Sequence, residues 1–209
     1  MSMSTQLLWK QPLGPEAEST LLQALAAHGC SMRELPSQQW DSKTASIGGI
    51  RDVDTTYLAP ASDAWSSAML HLNSVRGELL AEELSRLTSS PAIVLFEYDQ
   101  DTWGYTLFDG GALLDRFWSV PAAVDMSEEE CIGNFEVVSS AFGVPSELIA
   151  PYIRHITEFD QGAKAFEDDE FTLSDHWVRV DFMRRLGLIY PAPGEVAGGR
   201  YVKIDEPDL

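Results

Sequence analysis

At 209 residues, 44 % of them apolar and 10 % aromatic, the chain is long enough for one well-packed domain and too rich in core-forming side chains for a disordered acidic tail. Thirty-three acids against 14 Lys and Arg give a net charge of −19 and a pI near 4.3, a field that repels nucleic acid and anionic membranes and attracts basic partners. No run approaches the roughly 18 apolar residues of a membrane span, the start lacks the basic-then-apolar order of a secretory signal, and two cysteines, Cys30 and Cys131, make no disulfide framework; a cytoplasmic protein with reduced thiols is expected.

The first segment reads as a frayed lead-in, after which Gly14-Pro15-Glu16-Ala17-Glu18 opens a helix. Proline suits the first helical position and the glutamates suit the positive end of the dipole. Leu21, Leu22 and Leu25 form its apolar stripe and Gly29 ends it. Residues 30–54 carry little periodicity; Trp40 and Ile47 are expected to anchor a long connection, with Gly48-Gly49 as a turn. Thr55 to Leu58 reads as a short strand closed by Pro60.

Trp65, Met69 and Leu72 recur at helical spacing, with Asn73-Ser74 and Gly77 as expected breaks. Leu79, Leu80, Leu84 and Leu87 then make a second helical stripe, with Glu82 and Arg86 paired one turn apart on its outer side. Pro91 to Pro121 holds the densest β-branched and aromatic composition. Asp99-Gln100-Asp101 and Asp109-Gly110-Gly111 divide it into three runs, Ile93 to Tyr98, Trp103 to Phe108 and Ala112 to Trp118. Turn residues between short apolar runs predict antiparallel hairpins. Alternation places Val94, Phe96 and Tyr98 on one face of the first strand and Ile93, Leu95 and Glu97 on the other, both apolar at the start, so this strand is expected to be covered on both sides. In the third, Leu113, Asp115 and Phe117 alternate with Leu114, Arg116 and Trp118, and the Asp and Arg read as solvated charges of an outer strand.

Ser127-Glu128-Glu129-Glu130 has capping-box spacing for a helix carrying Ile132, Phe135, Val138 and Phe142 inward, stopped by Gly143. A short segment follows Pro145-Ser146, with Tyr152, Ile153 and Ile156 partly apolar, and residues 157–173 read as an acidic loop. Thr172 or Ser174 caps a last helix with Trp177, Val178, Phe182 and Leu186 inward, Arg184 and Arg185 at its negative end and Gly187 as its stop. Pro191, Pro193 and Gly198-Gly199 mark an irregular tail, with Tyr201 to Ile204 as a last strand. The resulting expectation is a single α+β domain over 1–209. A helix plus irregular lead-in fills 1–54, helix and meander 55–121, a helical part 122–190 and a tail 191–209. Its antiparallel meander sheet has three to five strands, the core ones at about 92–118, packed by N-terminal and C-terminal helices.

No catalytic constellation is legible. G-x-S-x-G, H-E-x-x-H, C-x-x-C, EF-hand, Walker and Rossmann spacings are all missing. The three glutamates preceding Cys131 oppose a reactive thiolate, and consecutive carboxylates such as Glu167 to Glu170 point several ways rather than converging on a metal. No cofactor and no metal site are expected. What remains is acidity, clustered at Asp125 to Glu130 and Glu158 to Glu170. The leading expectation is an acidic binding protein, monomer or dimer, that neutralises a basic protein partner in the manner of an immunity-type inhibitor of a bacterial toxin domain. Acidic inhibitors steer onto basic sites at high rates. Glu158, Asp160, Glu167, Asp168, Asp169 and Glu170 are the expected partner-facing acids, with Trp103 and Tyr105 as aromatic anchors. Two alternatives stand behind it: an enzyme or small-ligand protein whose site forms only in three dimensions, near His155 or His176, and a scaffold or assembly subunit using the aromatic meander as a self-association edge.

Overall fold

The structure, a computed structural model, describes residues 3–35, 55–70, 74–99, 102–157, 160, 162–191 and 197–205; Trp40, Ile47, Gly48-Gly49, Glu158 and Pro193 lie outside them. Eight strands form one sheet: β1 (Met3–Trp9), β2 (Ser31–Glu34), β3 (Thr55–Pro60), β4 (Ser66–Leu70), β5 (Ala92–Tyr98), β6 (Thr102–Asp109), β7 (Ala112–Trp118) and β8 (Arg200–Asp205). They lie in the order β2-β8-β3-β4-β1-β5-β6-β7, every adjacent pair antiparallel. Four helices, α1 (Pro15–Ala27), α2 (Ser74–Thr88), α3 (Phe135–Phe142) and α4 (Val178–Arg185), complete the α+β architecture. The three predicted meander strands are β5, β6 and β7, but the sheet is wider than the three to five strands expected.

The added strands include two whose polar residues disguise them. The lead-in is β1, which pairs with β4 on one side and β5 on the other. Its Leu7 and Trp9 enter one core while Leu8 enters the other, and Gln6 is buried with its amide donating to Ser67 Oγ at 3.0 Å. Residues 66–70, expected as helix, are β4. Its Ser66 and Ser67 are fully buried because Ser66 Oγ donates to the Gln11 carbonyl at 2.7 Å and Ser67 accepts from Gln6. A buried hydroxyl with a partner costs little, whereas one left unpaired costs about 1–3 kcal/mol.

Helices cover both faces of the sheet. On one side α1 and α2 close a core containing Leu21, Leu25, Leu80, Leu84, Val94, Phe96 and Trp118. On the other, α3, α4 and the turns between them close a core containing Ile93, Leu95, Trp103, Tyr105, Phe117, Tyr152 and Phe182. β5 therefore divides its side chains between two cores, as its alternation predicts. Gly77, expected as a helix break, sits inside α2. A Cβ there would lie 2.8 Å from Thr5 Cγ2 and 3.2 Å from Val94 Cγ2, so the missing side chain lets the helix lie against β1 and β5. The surface pair on α2 is Glu83–Arg86 at 2.5 Å rather than Glu82–Arg86.

At the β7 edge the strict alternation breaks. The register shifts between Leu107 and Phe108, placing Leu113 opposite Phe108 and Asp115 opposite Leu107. Leu114 is the extra residue of a bulge, so Leu113 joins the face of Arg116 and Trp118. Asp115 and Arg116 are not solvated edge charges either. Asp115 accepts from Tyr105 Oη at 2.6 Å and from Asn134 N at 2.8 Å, while Arg116 reaches Glu78 Oε1 at 3.1 Å on the opposite face.

Candidate functional site

The two acidic stretches end in opposite electrostatic states. In the loop before α4, two of the expected partner-facing carboxylates, Asp160 and Asp169, are buried, and a third, Asp168, is exposed but paired. Asp169 has a fully buried carboxylate, accepting from Tyr152 Oη at 2.7 Å, Phe166 N at 3.0 Å, Arg184 Nη2 at 3.0 Å and Arg185 Nη2 at 2.6 Å. Asp181 accepts from Glu170 N and Phe171 N at 2.9 and 2.8 Å and pairs with Arg184 at 2.9 Å. Asp168 takes Arg185 at 2.6 Å; that hydrogen bond holds its carboxyl below the ordinary aspartate range. Asp160 is turned onto Thr157, whose N–H and hydroxyl donate at 2.8 and 2.9 Å, and onto Arg154. Those Thr157 donors lower its pKa, helped by Arg154. Glu167 and Glu170 are exposed and make no ion pair among the described residues. The loop is thus a clasp: acids fold back onto the two arginines that end α4, where the helix dipole also favours cations.

The expected aromatic anchors are not at the surface. Trp103 is 1 % and Tyr105 0 % exposed. Both rings pack on Phe117 and Phe182, with centroids 5.2 to 5.9 Å apart. Burial pushes the Tyr105 phenol well above its ordinary pKa, and the neighbouring Asp115 charge pushes it the same way. These residues hold α4 on the sheet; they are core, not contact.

The other acidic stretch, Asp125 to Glu130, is open, and the exposed acids continue past it to Glu136. Its first part is a single 3-10 turn, Glu128–Glu130, instead of the start of a long helix. The capping-box geometry is nevertheless formed, since Ser127 N and Oγ both donate to Glu130 Oε2, at 3.1 and 2.6 Å, lowering the Glu130 pKa. Cys131 is buried, its thiol donating to Ser127 O at 3.1 Å, and burial followed by the Glu130 charge raises its pKa, which keeps it an inert thiol. Trp118 N donates to Cys131 O at 3.2 Å, and Ile132 bridges to Phe117, so this segment caps the C-terminal half of the β7 edge.

Gly133 and Asn134 then reverse the chain. Gly133 has φ +73°, and a Cβ there would lie 2.5 Å from Ile153 Cγ2, so only glycine fits both the left-handed backbone and the contact. Asn134 Oδ1 accepts from Glu136 N and Val137 N, at 3.0 and 3.3 Å, and is the true N-cap of α3. With the helix starting there, Ile132 and Phe135 point outward, 64 % and 37 % exposed, instead of inward as their spacing suggested. Asp125, Glu128, Glu129 and Glu136 flank them along the chain and are exposed. Glu128 has a 3.9 Å approach to His155; Asp125, Glu129 and Glu136 make no ion pair among the described residues. The Gly133-Asn134 dipeptide is the sequence signal for this break, since Gly-Asn before an apolar run marks a turn and a cap.

The remaining buried charge cluster is a strut. Arg179 on α4 reaches Glu97 Oε2 at 3.1 Å and the His176 carbonyl at 2.8 Å, and stacks 4.6 Å from the Trp177 ring. Ser4 Oγ donates to the same carboxylate at 2.8 Å, and His176 Nε2 lies 3.6 Å from Glu97 Oε1. Every charge here has its counterpart, and the cluster fastens the start of α4 to the end of β5. The other expected position, His155, stacks on Phe117 with centroids 6.4 Å apart. Among the described residues no three His, Cys, Asp or Glu side chains converge to hold a metal, and no helix is long and apolar enough to cross a membrane. The chain matches no family model, no curated protein and no solved structure.

Proposed function

We propose that this chain is an acidic binding protein that docks a basic protein partner on the Asp125–Glu136 segment, in the manner of immunity-type inhibitors of bacterial toxins. The observation that carries this reading is one short segment presenting two outward apolar side chains, Ile132 and Phe135, among exposed carboxylates of which Asp125, Glu129 and Glu136 have no ion pair among the described residues. Leaving such side chains in water forgoes about 1–2 kcal/mol each of burial energy, which a partner recovers on docking. Surrounding acids select that partner for Lys and Arg and accelerate its approach. The bulge at Leu114 and the covered half of β7 oppose strand-to-strand addition, so the contact is one of side chains rather than of an extended ladder.

The test begins with capture of a partner from the native host, followed by binding measurements on the purified pair at low and high salt. Support requires a basic partner, an affinity that falls with salt, and a loss of about tenfold or more in Phe135→Ala with Ile132→Ala. An inhibitor of the immunity type also blocks the partner's own activity. Binding that ignores salt, or that survives both substitutions unchanged, sinks the assignment of this surface.

A further inference from the structure

We infer that Asp115 is a positioning residue for the Asp125–Glu136 segment, the latch that holds its Gly133-Asn134 turn, and with it the outward display of Phe135, on the core. The inference rests on the reading of that segment as a docking surface and adds the residue that sets its geometry.

One carboxylate oxygen carries the latch. Asp115 Oδ2 accepts from Tyr105 Oη at 2.6 Å and from Asn134 N at 2.8 Å. The first donor belongs to a fully buried ring on β6, the second to the turn just after Gly133. Asn134 passes the restraint on, since its Oδ1 accepts from Glu136 N and Val137 N in the first turn of α3. Phe135 therefore has a bonded backbone N–H on each side of it, at Asn134 and at Glu136. Another tie to β7, from Trp118 N to Cys131 O at 3.2 Å, lies before the reversal at Gly133 and does not fix the turn itself. A chain of hydrogen bonds thus runs from the core through β7 to the helix that carries the apolar contact residue.

Satisfying polar groups does not by itself account for an acid at this position. Asn134 is exposed, so water can replace Asp115 as the acceptor for its N–H. The Tyr105 hydroxyl needs only an acceptor, and a neutral amide oxygen supplies one. Asp115 is half-buried and makes no ion pair among the described residues, and burial pushes its carboxyl above the ordinary range. A neutral side chain of the same shape would therefore stabilise the fold at least as well. What the carboxylate adds is strength, because hydrogen bonds to an ionised acceptor are roughly twice as strong as neutral ones. Holding the turn in one arrangement before contact removes an ordering cost from docking.

Amide hydrogen exchange on the isolated protein tests this with two variants. Asp115→Asn keeps an acceptor oxygen and drops the charge, whereas Asp115→Ala drops both. Exchange at Asn134, Glu136 and Val137 is read beside global stability from urea unfolding. Asp115→Asn is expected to match or exceed wild-type global stability, yet to speed exchange at these amides by about threefold or more. Asp115→Ala is expected to speed them by about tenfold or more relative to the amides of β5 and β6. If Asp115→Ala does not fold, Asp115→Asn decides alone. Unchanged exchange at Asn134 in Asp115→Asn overturns the latch. So does exchange that rises only in step with a fall in global stability, or a rise at Asn134 that spares Glu136 and Val137. The two readings fail separately. Exchange rates as expected with no partner captured remove the docking surface and leave the latch, and unchanged rates with a captured partner do the reverse.

Discussion

Two acidic stretches of similar composition do different work in this molecule. Between Asp160 and Asp181, three carboxylates, Asp160, Asp169 and Asp181, turn inward onto Arg154, Arg184 and Arg185 and accept from backbone N–H groups, while Glu167 and Glu170 stay exposed. Between Asp125 and Glu136 the acids stay in water around two outward apolar side chains. Charge density along a chain therefore says little about the field at the surface. What matters is whether a counter-charge is positioned by a neighbouring element, and here the end of α4 serves one stretch and nothing comparable serves the other.

Removing one carboxylate from each stretch puts the contrast under the greatest load. Asp169→Ala deletes a fully buried acceptor and leaves Tyr152 Oη, Phe166 N and the inner face of Arg185 without it. Breaking a buried, hydrogen-bonded ion pair costs about 3 kcal/mol or more, a loss readable in urea unfolding. Glu129→Ala in the open stretch is expected to stay within about 0.5 kcal/mol. Equal costs for the two would mean that the inward clasp contributes nothing the exposed acids do not.

A smaller effect is expected at the turn that aims Ile132 and Phe135 outward. Gly133→Ala puts a methyl into the space held by Ile153 Cγ2 and forces an L-residue to φ +73°, a penalty of about 1–3 kcal/mol. The same change in the midst of α2, Gly77→Ala, gains helix propensity of up to about 1 kcal/mol but meets Thr5 Cγ2 at 2.8 Å. If Gly133→Ala melts at the wild-type temperature, the outward display is not enforced by this turn.

Acid titration separates the regions by sign. The folded state lowers the carboxyl pKa of Asp160 and Asp168, so their contribution is present above the ordinary value of 3.8 and is lost as pH falls through their folded values. Asp115, beside the open stretch, is shifted the other way, chiefly by burial. Its contribution is present below 3.8 and is lost as pH rises through the folded value, which makes its ionised form a cost at neutral pH. Carboxyl ¹³C titrations are expected to place Asp168 below 3.8 and Asp115 above it. The reverse order would contradict the assigned environments.

Some of this is readable from residue order and some is not, for physical reasons. β5 to β7 are readable because β-branched and aromatic runs alternate between turn residues, and α1 and α2 because leucines recur at helical spacing. β1 and β4 are hidden by Gln6, Ser66 and Ser67, polar residues that tolerate burial only because they bond one another or Gln11 across the sheet. No local pattern reveals such a pairing over 61 residues of separation. The acidic loop is a surface only at Glu167, Asp168 and Glu170, because its other carboxylates find distant partners. Asp169 meets Arg185 16 positions away, after the intervening chain has folded under α4. The capping box at Ser127 is real as chemistry and misleading as a helix start, because Gly133-Asn134 breaks the segment and caps α3 afresh.

The smallest stability effect is the most diagnostic of the open stretch. Glu129→Gln with Glu136→Gln removes two exposed charges from a chain of net −19, and neither carboxylate holds a described partner. Stability is therefore expected to change by no more than about 0.5 kcal/mol, with any shift toward stabilisation as self-repulsion falls. Binding to a basic partner should respond differently. Long-range attraction acts before contact, so the loss belongs in the association rate and shrinks as salt screens the field over a Debye length of about 8–10 Å. Phe135→Ala, by contrast, removes buried contact and belongs in the dissociation rate. If the charge pair slows association alone at low salt and Phe135→Ala speeds release at every salt, the acids steer and the apolar pair holds. If both variants act on the same rate constant, that division of labour is wrong.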